Sequence, residues 1–192
     1  MSDLPQSRHP YDALTPDTLL DAMEAAGFVI NGRLFALNSY ENRVYQVGIE
    51  DGPSVIAKFY RPGRWSLEQI QEEHSFSLEL VDADIPVVAP SVMNNGRTLG
   101  EHAGFQFAVF PQRGGQAPDT SEPDMLWRLG QWLGQLHNVG AQRPFAERPT
   151  LDLIPALRRE ATFLTDSDLI PSDLRPAWDS LIPDLIDNCE KR

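Results

Sequence analysis

Lys58 stands in the run Val55-Ile56-Ala57-Lys58-Phe59-Tyr60, a single ammonium among apolar side chains in a stretch that reads as a strand. A period of two puts it on one face with Ile56 and Tyr60. An ammonium sunk among such neighbours needs an anionic partner; otherwise its stem snorkels along the surface, the commoner fate of a strand lysine. Two anions could serve together, a nucleotide phosphate and a carboxylate from the helix that follows, where Glu72 and Glu73 lie one turn in. Upstream, Asn38-Ser39-Tyr40-Glu41-Asn42 joins two strand candidates. Its serine hydroxyl and successive backbone N–H groups could cradle a phosphate, and by composition it is equally an ordinary hairpin turn. A polar hairpin loop, a strand lysine and a helix with paired glutamates, in that order, are the parts with which kinase-like folds grip ATP. Loop and lysine hold the phosphates, and the glutamate holds the lysine.

These residues need elements to position them. Thr15-Pro16-Asp17 starts a helix with an N-cap, a proline in the first turn and an acid near the positive end of the dipole. Leu19, Leu20, Met23 and Ala26 form its apolar stripe, and Gly27 ends it. Strands are expected near 33–37, 43–49 and 54–60, with Asp51-Gly52 as a tight hairpin signal between the last two. Ser66 and Gln69 form a capping box that opens a helix running to about Asp82. Pro86–Pro90 is an extended connector. Strands near 97–99 and 105–110 follow, the second rich in aromatics.

After Pro111-Gln112-Arg113-Gly114-Gly115 the pattern is helical only. A helix over 125–139 carries Leu126, Leu129, Leu133, Leu136 and Trp132 on its inner side, and two more are expected over 153–164 and 174–189. The fold class is therefore α+β: a five-stranded antiparallel sheet with helices, followed by an all-helical part. The domains are 1–111, a lobe with an N-terminal helix and the polar-loop hairpin, and 112–192, a helical part, which the family resemblance given below implies to be a hinge and the first helices of an incomplete second lobe.

Bulk properties narrow the class. The formal charge of −12 argues against nucleic acid as a partner, because phosphate backbones need clustered Lys and Arg. Cys189 is the sole cysteine, so no internal disulfide forms and a reducing compartment is expected. The first fifteen residues are polar, without the apolar run of a secretory signal, and no run of 18 apolar residues exists to span a membrane. The expectation is a soluble, cytoplasmic protein with no membrane partner.

The segments Leu37–Gln46 and Lys58–Trp65 resemble the stress response kinase A family. Glu72-Glu73-His74, Phe107–Pro111 and Leu133-Gly134-Gln135-Leu136-His137 fit the same family in order, so the likeness runs from about Thr15 to the end. That family has the aminoglycoside phosphotransferase and choline kinase-like fold, related to protein kinases. The resemblance implies an ATP-dependent serine/threonine protein kinase of the stress response that uses Mg2+, with ATP and a protein Ser/Thr hydroxyl as partners. It implies that Ser39, Tyr40 and Asn42 serve the nucleotide loop, with Ser39 on a phosphate, and that Lys58 contacts the α- and β-phosphates. Glu73, with Glu72 second, would hold the lysine, and Phe107–Pro111, Phe110 among them, would edge the adenine. His137 is expected as a satisfied structural histidine.

One departure is large. The family's catalytic loop, His-Gly-Asp-Cys-His-x-Gly-Asn, supplies the base and a metal ligand, and no Asp here is followed five residues later by an Asn. Asp82/Asp84 and Asp166/Asp168 are read as solvated acids. No catalytic residue is therefore assigned. The catalytic Asp and Asn and the Mg2+ ligands are expected beyond Arg192, and the chain is expected to be an N-terminal portion, inactive alone. The alternatives are a small-molecule kinase for choline, homoserine or an aminoglycoside, and a non-catalytic interaction module built on the same lobe.

Overall fold

The computed structural model describes residues 9–190. The polar segment 1–8 and the charged end 191–192, both part of the sequence reading, lie outside the described residues. Contacts divide the chain into two compact units, Met1–Arg148 and Pro149–Arg192. The lobe boundary expected after Pro111 falls inside the first of them, because the segment that follows the next helix packs back onto that unit.

In the first unit, helix α1 (Pro16–Ala25) precedes strands β1 (Ile30–Leu37), β2 (Arg43–Ile49) and β3 (Val55–Phe59). Helix α2 (Leu67–Asp82), strands β4 (Gly100–His102) and β5 (Phe105–Pro111) and helix α3 (Pro123–Gly140) follow. The five strands form one antiparallel sheet in the order β1-β2-β3-β5-β4.

Alternation along the strands assigns the two faces. Val47, Ala57, Phe59, Phe107 and Val109 pack with Leu19, Ala22 and Met23 of α1. Ala108, offset by one residue from Phe107 and Val109, joins Tyr60, Leu99 and Ile70 of α2 in a second cluster. Since β2, β3 and β5 register as Val44↔Lys58↔Ala108 and Gln46↔Ile56↔Phe110, these residues share the α2 face. The sheet is thus covered by α1 on one side and α2 on the other, with Lys58 on the α2 side.

The caps are as the sequence reading expects. Thr15 Oγ1 accepts from the Thr18 N–H at the start of α1. At α2 the Gln69 N–H donates to Ser66 Oγ while the Ser66 N–H donates to Gln69 Oε1, a complete capping box. Gly27 takes φ +91 after the C-cap of α1, a left-handed conformation that favours glycine there.

Three expectations are corrected. The β2–β3 connection is five residues, 50–54, and not a tight hairpin at Asp51-Gly52. The tight turn occurs instead at Ala103 and Gly104, both with positive φ, between the paired His102 and Phe105. Strand β4 accordingly starts at Gly100, after the expected 97–99, and Leu99 is buried in the α2-side cluster. The expected inner stripe of α3 is largely open: Leu126, Trp132 and Leu133 are exposed, and no residue of the helix is fully buried.

The second unit consists of α4 (Leu153–Thr165) and α5 (Arg175–Glu190). Ala161 and Ile186 are its buried residues among those described. Among the described residues, no helix is long and apolar enough to cross a membrane.

Candidate functional site

Lys58 reaches from β3 toward α2 and donates to Glu73 Oε1 at 3.3 Å. The partner is Glu73 and not Glu72. The carboxylate of Glu72 instead accepts the backbone N–H groups of Ala146, Glu147 and Arg148 at 2.6, 2.9 and 2.7 Å. Desolvation opposes ionisation of Glu72, yet these three donors hold its carboxyl below the usual range.

The ammonium of Lys58 sits 4.6 Å from the Tyr60 ring centroid and 6.0 Å from that of Phe110, within the range of cation–π attraction. Burial, followed by the nearby Arg148 guanidinium, pulls its pKa below the ordinary lysine value, while Glu41 acts in the opposite sense.

Lys58 and Glu73 border an open cleft of about 430 Å3 that is also lined by Val44, Ile56, Phe110 and Arg113. The apolar walls are a direct result of register, since Val44 pairs with Lys58 and Ile56 with Phe110. Of the run Phe107–Pro111, only Phe110 and Pro111 line the cleft; Phe107 and Val109 belong to the α1-side core. A cavity of about 400 Å3 between α4 and α5, lined by Arg158, Trp178 and Ile186, contains none of the candidate nucleotide-site residues; Asp166, read from the sequence as a solvated acid, is on its wall.

The hairpin loop is pinned rather than open. The Ser39 hydroxyl donates to the Asn42 carbonyl at 2.7 Å, and Asn42 Oδ1 accepts the Arg61 N–H at 3.3 Å. Tyr11 donates its hydroxyl to the Glu41 carbonyl at 2.9 Å, and Tyr40 is fully exposed. Because Leu37 pairs with Val44, and Val44 with Lys58, the loop begins one residue beyond the strand level of the lysine. The structure therefore brings Lys58, Glu73 and Phe110 to one cleft. Ser39, Tyr40 and Asn42 stay in the adjoining loop.

Three residues near this site carry no role in the sequence reading. Arg148 donates to Glu73 Oε2 and lies 4.2 Å from the Trp65 ring, so Glu73 bridges two cations. It sits 75 residues from its partner in a polar stretch, and no motif or period marks it. Arg113 adds a cation to the cleft rim. His74 is 2% exposed, with Nε2 2.8 Å from the Tyr60 hydroxyl and Nδ1 2.8 Å from Thr98 Oγ1. His137, expected to be a satisfied structural histidine, is exposed on α3. The last turn of that helix lacks the packing that would bury it.

A profile of the phosphotransferase enzyme family matches residues 34–190. Stress response kinase A of Escherichia coli strain K12 is 43% identical over 180 residues, covering 94% of this chain and 55% of the relative. The serine/threonine protein kinase RdoA of Salmonella typhimurium is 43% identical over 168 residues, covering 88% and 51%. The chain spans about half the length of these curated relatives.

Among solved structures, an amicoumacin kinase in complex with AMP-PNP and Ca2+ superposes with a TM-score of 0.62 at 20% identity, over 88% of this chain and 53% of that one. A spectinomycin phosphotransferase in complex with ADP gives 0.58 at 16% identity, over 91% and 56%. These last two likenesses carry the fold, a protein kinase-like sheet with helices. The chain, with its sheet-borne lysine paired to a helix glutamate, belongs to the phosphotransferase enzyme family.

Proposed function

We propose that this chain holds Mg-ATP for a kinase of the stress response that phosphorylates Ser/Thr hydroxyls of protein substrates in the cytoplasm. The observation that carries the reading is the Lys58–Glu73 ion pair at the edge of an apolar-walled cleft. Lys58 takes the α- and β-phosphates, and Glu73 keeps the ammonium in place between turnovers. The Ser39 hydroxyl, turned from the Asn42 carbonyl, and the backbone at Tyr40 and Asn42 close over a phosphate. Phe110, with Val44 and Ile56, covers the adenine.

The cleft fits a nucleotide: Lys58, with Arg113 at the rim, for phosphate, and apolar side chains for a base. It does not fit a metal by itself. Among the described residues no group of three or more His, Cys, Asp or Glu could hold one. Mg2+ belongs in this proposal with the nucleotide phosphates and with ligands outside these 192 residues, and no step is derived through it. The preference for a protein acceptor rests on the 43% identity to relatives bearing protein kinase and stress response kinase names.

Calorimetric titration of the chain with AMP-PNP and Mg2+ tests the nucleotide reading. Binding is expected, and Lys58→Ala should weaken it by about ten- to a hundredfold, the loss of a charge-assisted contact of about 1.5–3 kcal/mol. Equal binding by the variant, or none by the parent chain, would count against it. With radiolabelled ATP, the chain alone should label neither itself nor a generic Ser/Thr protein acceptor. In the full-length kinase, transfer to choline, homoserine or an aminoglycoside in place of protein would favour the small-molecule alternative.

A further inference from the structure

The stretch that follows α3 returns along a single stripe of α2. Arg143 pairs with Glu79, and Phe145 meets Phe76 edge-on with ring centroids 5.2 Å apart. The N–H groups of Ala146, Glu147 and Arg148 converge on Glu72. Gln69 donates its side-chain amide to the Glu147 carbonyl at 3.0 Å, and Arg148 Nε donates to the Gln69 carbonyl at 3.0 Å. Positions 69, 72, 73, 76 and 79 lie three or four apart, the spacing of one helical face. Six residues of loop therefore engage three turns of the helix whose glutamate holds Lys58.

Arg148 is the member of this stretch that reaches the site. One guanidinium simultaneously satisfies the Gln69 carbonyl and one oxygen of Glu73 while stacking on Trp65. With one carboxylate oxygen taken, the other is left to Lys58, and rotation of the carboxylate would break both contacts. We propose that segment 143–148 is a brace that fixes α2 where Glu73 meets Lys58, and that Arg148 is a positioning residue for the nucleotide site. Its effect on nucleotide affinity rests on the nucleotide reading above; its effect on α2 does not.

Arg148 is half-buried, so its loss is not a surface change. A lysine at this position supplies a point charge and cannot span the Gln69 carbonyl and Glu73 in a fixed fork. Amide hydrogen exchange of the nucleotide-free chain, with AMP-PNP titration in parallel, tests the brace. In Arg148→Ala, amides of 70–79 should exchange about tenfold faster while those of α1 stay unchanged, and AMP-PNP affinity should fall by about five- to tenfold. Arg148→Lys should recover part of both effects. Should Arg148→Ala fail to fold, Glu72→Gln weakens the three-donor cradle, leaves the guanidinium in place, and is expected to shift both readouts in the same direction. Unchanged α2 exchange overturns the brace, and faster exchange with unchanged affinity overturns the positioning role. If the parent chain binds no AMP-PNP, the nucleotide reading falls, and α2 exchange alone decides the brace.

Discussion

At the scale of single residues, burial decides what a titratable group can be. Desolvation, followed by the charge of Lys58, lowers the pKa of His74 from 6.5 to about 4. The imidazole is neutral at pH 7, donating from one nitrogen and accepting at the other between Tyr60 and Thr98. Since the unfolded chain takes up this proton near pH 6.5 and the folded chain only near pH 4, the unfolded state binds more protons between those values. Stability should thus fall as pH drops through that window, by about 3 kcal/mol from this histidine alone. Urea unfolding at pH 7 and pH 4 checks it, and in His74→Gln the slope over the window should flatten. Lys58 shows what the sequence could and could not yield at this scale. Its need for an anion follows from its neighbours, but the choice of Glu73 over Glu72 depends on which carboxylate the segment 146–148 claims first.

At the scale of elements, the signals that held are those in which side chain and backbone meet within a few residues. The capping box at Ser66 and Gln69 is one such signal, closed within a single turn. Ser66→Ala should cost about 1 kcal/mol by removing the acceptor of the Gln69 N–H, seen as a lower urea midpoint with an unchanged slope. The signals that failed depend on pairing partners. Asp51-Gly52 has the composition of a two-residue turn, yet the residues that flank such a turn must also pair, and here β2 and β3 pair only as far as Val47 and Val55. Ala103-Gly104 does form one, although alanine gives no turn signal. The pairing of His102 with Phe105 imposes the left-handed conformation on Ala103.

At the scale of the whole molecule, the two units differ in how much apolar surface each buries. The first surrounds its sheet with two clusters. In the second, Leu157, Phe163, Leu181 and Leu185 are exposed, and Ala161 and Ile186 are buried among its described residues. Helix pairs of this kind draw their stability mainly from tertiary packing. Amides of α4 and α5 should therefore exchange far faster than those of β3 and β5, and a single uniform protection pattern across the chain would contradict this.

What the sequence determined by itself was the local and the periodic. Alternation along β3 and β5, the caps of α1 and α2, and the order of loop, lysine and glutamates follow from residue types at short spacing. Those features were enough for the α+β class and for a strand lysine facing a glutamate of the following helix, whereas Phe110 and the order of Glu73 before Glu72 came from the family resemblance. Only the tertiary structure decided which glutamate pairs with the lysine, that Arg148 shares it, that His74 is buried, and that the apolar stripe of α3 stays open. Each of these depends on groups far apart in sequence, and the energy of a buried charge or hydrogen bond is set by what surrounds it in space, which no period or spacing records.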